Sequence, residues 1–265
     1  MNTILSFIKR HPIASFAAIA YLLSWWSAPF ANGQIMPHGP AVAAVIVLTI
    51  TSGRAGLSSL WHRVAHWRVD WYWYVIGPGI IAAYLSVAYI LSPFVGVKVT
   101  APPNLLTMGT LLELLLLGGM WEEPGWSGYA LPKLQNRFAN RQNGTLLAAL
   151  VVGTIRAIWH LPLFIYGHIA WFDVVVFTFA FQLIIAWLFN RSGGSVLIVM
   201  CFHLASNVFS SVMRSSFTGS DWASYYALFV TIGSLIALGI LWGSGLTLGQ
   251  GGAREKLAIV DQKAA

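Results

Sequence analysis

Six ionisable side chains, Glu113, Glu122, Glu123, Arg156, His160 and His203, stand inside long apolar runs of this 265-residue chain. Glu122 and Glu123 are adjacent, with Gly118 and Gly119 ahead of them and Pro124 and Gly125 directly behind. His160 follows Arg156 by four residues, and Asn207 follows His203 by four, so on helices each pair shares a face. Two acids, two imidazoles and an amide are a set that can hydrolyse a peptide bond. Hydrolysis needs a base that works near neutral pH, and a carboxyl buried beside a second acid meets that need. It also needs donors aimed at the tetrahedral oxygen, each typically worth ~3–4 kcal/mol in the barrier. Ser-His-Asp chemistry is poorly supported, because no inward serine has a histidine and an acid at suitable spacing.

Those residues need a low-dielectric setting, and the composition supplies one. Hydrophobic residues make up 57% of the chain and charged residues only 9%, against about 25% charged in a soluble domain. Lipid must therefore be the solvent. An ionised side chain at the bilayer centre costs roughly 2.5–3.5 kcal/mol on insertion scales, so several together imply a wet, inward-facing cavity and a functional site. Pro124 removes a helical N–H and crowds the carbonyl of Met120, which predicts a kink or an unwound turn beside the paired acids. Broken backbone at membrane depth is tolerated where it is buried in protein or lines a cavity. Cys201 is a lone cysteine in an apolar run, which excludes a disulfide framework and a thiolate metal cluster.

About 20 apolar residues span the hydrocarbon. Candidate spans run Ile13–Phe30, Gln34–Ser52, Trp71–Ser92, Asn104–Tyr129, Thr145–Tyr166, Phe172–Asn190, Ser195–Met213 and Trp222–Trp242. The expected fold is thus all-α, a polytopic membrane protein of about eight transmembrane helices around a polar catalytic cavity. Residues 1–265 read as a single membrane domain, and the run from Ile13 reads as a retained signal anchor rather than a cleaved peptide. One side of the membrane would hold Lys9, Arg10, Arg54, Arg63, Arg68, Lys133, Arg137, Arg141, Arg191, Arg254, Lys256 and Lys263; the other would hold only Lys98 and Arg214. The positive-inside rule then puts both termini in the cytoplasm. The net charge of +7 fits cationic loops on an anionic membrane surface. Trp61–Tyr74 interleaves bases with aromatic residues, and beside a span it reads as an interfacial anchor, not a nucleic-acid site.

Three stretches carry a family resemblance: Trp121–Gln135 (WEEPGWSGYALPKLQ), Ile158–Phe164 (IWHLPLF) and Phe202–Asn207 (FHLASN). They resemble the motifs of the CPBP family, the type II CAAX prenyl endopeptidases and their bacterial relatives linked to bacteriocin processing and immunity. The resemblance covers a catalytic core of about 105–212. It implies that Glu122 activates water with the help of His160, that His203 and Asn207 hold the oxyanion, and that Glu123 orients the site. Two positions depart from the pattern. Ser127 stands where the first motif has arginine, and Arg156 stands where the second has an aromatic residue. We expect Arg156 to reach the paired acids from the neighbouring helix and supply the displaced guanidinium.

The function expected is intramembrane hydrolysis of a peptide bond in a membrane-associated protein or peptide, by glutamate-activated water. The alternative is a non-catalytic membrane binding or immunity protein using the same cavity. A proton-coupled transporter would also explain buried acids, but no inverted repeat relates the two halves. Small size and short loops argue against a prenylated substrate and for a bacterial cytoplasmic membrane. Glutamate and histidine could bind zinc, yet the HExxH spacing is absent, and the resemblance implies a reaction with no required metal.

Overall fold

The computed structural model describes residues 2–250, so the basic residues Arg254, Lys256 and Lys263 lie outside the described residues. The described chain is all-α and polytopic in character, with no strand among the described residues. Helices α1 (Asn2–Arg10), α2 (Pro12–Trp25), α3 (Gly39–Val64) and α4 (Trp73–Leu91) form the first half. A broken segment follows, of α5 (Met108–Leu117), a 3-10 turn Gly119–Glu122, α6 (Glu123–Gly125), a π-helical turn Trp126–Ala130 and α7 (Leu131–Arg137). The second half holds α8 (Gly144–Trp159), α9 (Leu161–Ile165), a π-helical turn Asp173–Phe177, α10 (Thr178–Arg191), α11 (Val196–Arg214) and α12 (Gly219–Ser244).

Among the described residues, five elements are long and apolar enough to cross a membrane: Gly39–Val64, Trp73–Val95, Asp173–Arg191, Val196–Arg214 and Gly219–Thr247. Pro12–Trp25 and Gly144–Trp159 are apolar but shorter. The span expected over Thr145–Tyr166 is interrupted for a local reason. Pro162 has no N–H to give the carbonyl of Ile158, so α8 stops at Trp159 and the chain restarts as α9. The span expected to end at Ser52 does not end there. Gly53 takes a positive φ of 58°, and the helix continues beyond this kink to Val64. Gly53 thus marks a bend that composition reads as a boundary.

The core sits around α10, of whose span about two thirds is buried, against a third or less for the other four. Helix α10 packs on α8 and α12, α4 packs on α11 and α12, and α3 packs on α2 and α6. The contact of α6 with α3 depends on Gly125, because a methyl group there would strike the backbone of Pro40. Trp61, Trp67 and Trp71 are exposed around the loop between α3 and α4, as interfacial anchors would be.

Candidate active site

The paired acids are placed by the break. Helix α5 ends at Gly118, whose backbone turns extended, with ψ at 164°. The chain resumes as a 3-10 turn that presents Glu122, and Pro124 then sits in the first turn of α6, where its missing N–H leaves no helical bond unmade. Unwinding thus falls ahead of Pro124, at the glycines. The π-helical turn that follows, Trp126–Ala130, stays buried throughout, and such turns often mark functional sites.

Glu123 is fully buried and is the anchor of the polar cluster. Its Oε1 accepts from Arg156 Nη2 and pairs with Nδ1 of His203 at 2.8 Å. Its Oε2 accepts from Ser127 Oγ at 2.5 Å. Three elements meet on one carboxylate. The first-motif turn brings Glu123 and Ser127, α8 brings Arg156, and α11 brings His203. Glu122, 5% exposed, accepts from Trp126 Nε1 at 3.2 Å, and Arg156 Nη2 lies 3.7 Å from its Oε2. Arg156 is 1% exposed. Its Nη1 donates to Gln182 Oε1 at 3.1 Å, and its Cζ lies 5.8 Å from the Trp126 ring and 6.0 Å from Phe181. A buried guanidinium needs this many partners, since one left uncompensated in the interior is strongly destabilising.

A cavity of about 250 Å³ opens beside this cluster, with Arg156, His160, His203 and Asn207 in its wall. Gly119 N–H donates to Asn207 Oδ1 at 3.0 Å, which leaves the amide nitrogen of Asn207 free to donate elsewhere. His203 spends Nδ1 on Glu123, which leaves Nε2, a donor when the ring is an imidazolium. His160 faces the same cavity, and its Nδ1 is buried without a hydrogen-bond partner among the described residues. The two acids stand behind this wall, touched by Arg156 and His203. The two layers come together at Gly119. A methyl group on Gly119 would strike Nε2 of His203 and lie 2.9 Å from Oε1 of Glu122.

Of the residues singled out in the sequence, Glu122, Glu123, Ser127, Arg156 and His203 meet in the cluster, and His160 and Asn207 share the cavity wall. Glu113 does not join them; it is exposed on α5. Sequence reasoning missed Gln182, Trp126 and the cavity-lining Asp173. Gln182 was findable, because an amide inside an apolar run is as costly without a partner as the residues that were counted. Among the described residues no three His, Cys, Asp or Glu side chains gather as a metal-ligand set. The guanidinium of Arg156 holds Oε1 of Glu123, an oxygen that a metal cation would otherwise take.

Buried paired acids, Arg156 and the cavity-lining His160 and His203, brought together from separate helices, define a polar intramembrane site. Residues 104–209 match the family described as Type II CAAX prenyl endopeptidase Rce1-like. CAAX prenyl protease 2 of Methanococcus maripaludis is 28% identical to the chain over 109 residues, which is 37% of this chain and 38% of that protein. The chain thus spans well under half the length of that curated relative. The match over residues 104–209 falls on the stretch whose three motifs resemble the CPBP family.

Proposed function

We propose that this protein is an intramembrane endopeptidase that hydrolyses a peptide bond of a membrane-associated protein or peptide. The observation that carries this reading is the close approach at Gly119, where Oε1 of Glu122 and Nε2 of His203 both lie within 2.9 Å of the point that a methyl group on Gly119 would take. A water molecule bridging the two would have a base on one side and a donor for the developing oxyanion on the other. Glu122 takes a proton from water as its oxygen attacks the carbonyl carbon. His203 and the amide nitrogen of Asn207 hold the oxyanion, and the proton then passes to the leaving amine as the C–N bond breaks. His160, with a buried and unpartnered Nδ1, is placed to help orient water or the leaving group. Glu123 is a positioning residue that ties together Arg156, His203 and Ser127. In this reading no metal is required.

The proposal extends to topology. The five long helices, the two shorter ones and the broken segment Met108–Arg137 would make eight crossings, with both termini on the cytoplasmic side of a bacterial membrane. The match of residues 104–209 to the Rce1-like family supports the endopeptidase reading.

One observation favours the second reading, a non-catalytic binding or immunity protein: both acids stand behind the cavity wall. A single substitution separates the two. Glu122→Gln keeps the side-chain shape but cannot take the proton, so membrane-fraction proteomics should show an uncleaved precursor accumulating at an unchanged level of the protein. An identical precursor pattern in wild type and variant would sink the protease reading.

A further inference from the structure

The cavity wall holds residues that the proposed reaction does not use. Besides His203 and Asn207 it includes Asp173, Trp222, Tyr226 and Phe229. Asp173 opens the π-helical turn ahead of α10, and it is the one acid among the residues lining this cavity. Its backbone carbonyl accepts from Thr178 Oγ1, but its carboxylate has no hydrogen bond or ion pair among the described residues. That sets it apart from Glu122 and Glu123, each of which has a carboxylate oxygen held close to an arginine and to a tryptophan, a histidine or a serine.

The rings around Asp173 are ordered against one another. Trp222 and Tyr226 stack with centroids 5.8 Å apart, Tyr226 lies 4.7 Å from Phe229, and Phe172 meets Tyr226 edge-on at 5.4 Å. Trp222 already carries a guanidinium, since Cζ of Arg214 lies 4.5 Å from its ring. An acid beside π faces is a combination that selects for cations and against both anions and plain alkyl groups. An apolar chain would need only the rings, and it would leave the enclosed carboxylate without a partner, which is costly. The same wall carries Arg156, with Nε2 of His203 and the amide of Asn207 as donors. It therefore combines donors suited to a peptide oxygen, on α8 and α11, with one acid on the turn ahead of α10.

We propose that Asp173, with the rings of Trp222, Tyr226 and Phe229, forms the subsite for a lysine or arginine side chain of the substrate near its scissile bond. This rests on the reading of the cavity as a peptidase site, but it is tested by binding rather than by turnover. The full-length protein carrying Glu122→Gln, in lipid nanodiscs, would be titrated with fluorescent apolar peptides. Each peptide carries a lysine at one scanned position, with norleucine at that position in its partner. At one position the lysine peptide should bind about tenfold tighter than its norleucine partner. Asp173→Asn should remove that difference while leaving norleucine-peptide affinity unchanged, and Asp173→Glu should keep most of it. The proposal is overturned if no position shows a lysine preference, if no peptide binds, or if the preference survives Asp173→Asn. Should lysine selectivity appear while the wild-type protein cleaves none of these peptides, the subsite stands and the peptidase reading fails.

Discussion

Two consecutive stretches of one apolar run meet opposite fates. In α5 no residue is buried, and Leu112, Leu115, Leu116 and Leu117 are all exposed. From Glu122 to Pro132 every residue is buried. Hydropathy places both in a single span, yet their compositions differ. Leucine fills α5, whereas the buried stretch mixes acids with glycine, serine, alanine and proline. Lipid tails are as apolar as leucine, so a leucine helix gains nothing by leaving them for protein. Small residues permit close backbone approach, and polar ones demand partners. The change occurs at Gly118 and Gly119, where the chain comes against Asn207 and His203 of α11. Sequence thus separates the lipid-facing half of a membrane run from its protein-facing half by residue size and polarity rather than by hydropathy.

The largest effect expected from this contrast lies in the buried half. Arg156→Phe strips Glu123 of its guanidinium and leaves two buried acids side by side. Breaking a buried pair from one side should destabilise the protein by about 3–5 kcal/mol, read as a drop in the denaturation midpoint in detergent together with loss of cleavage. Adding Ser127→Arg should recover much of both. Ser127 Oγ already touches Glu123 Oε2, so a longer side chain from that position enters the space that Arg156 would vacate. If the double variant is no better than Arg156→Phe alone, the two positions do not serve the same carboxylates.

Next in size is the boundary itself. Gly119→Ala puts a methyl group against both Glu122 Oε1 and His203 Nε2. The methyl shifts one partner or both, and a misplacement of about 1 Å costs on the order of 10²-fold in rate. Peptide affinity on a catalytically inert background should fall far less than the rate, because most of the cavity wall is untouched. Cleavage at the wild-type rate by Gly119→Ala would remove this juncture from the mechanism.

The all-α membrane class was legible because charge is so scarce, and the cluster was legible because few groups can explain an acid in lipid. The i, i+4 pairs Arg156–His160 and His203–Asn207 needed only helical periodicity. Other features depend on three-dimensional packing. Gly53 looks like a terminus, since a positive φ can serve an end or a kink equally. Glu113 scored with the other acids because spacing cannot say which face of a leucine helix has protein beside it. Asp173 lay too near the end of its run to stand out, and only the folding of α12 over it encloses it with aromatic rings.

The smallest effect expected belongs to α5. Leu112→Ala and Leu116→Ala exchange lipid contact for lipid contact, and alanine is at least as good a helix former as leucine. Each should therefore change stability by no more than ~0.5 kcal/mol, as substitutions away from packed sites usually do. Leu131→Ala is the matched control in the buried half. Leu131 is fully buried, so its truncation opens a cavity and should cost about 2–5 kcal/mol. Unfolding in mixed micelles, followed by tryptophan emission, reads all three on one scale. The ratio matters more than either value, since the micelle shifts both. If Leu116→Ala costs as much as Leu131→Ala, then α5 is packed against protein after all. Its exposed leucines would then mark a surface that a second copy of the chain or a bound substrate covers, and the carboxylate of Glu113 would have to find its partner there.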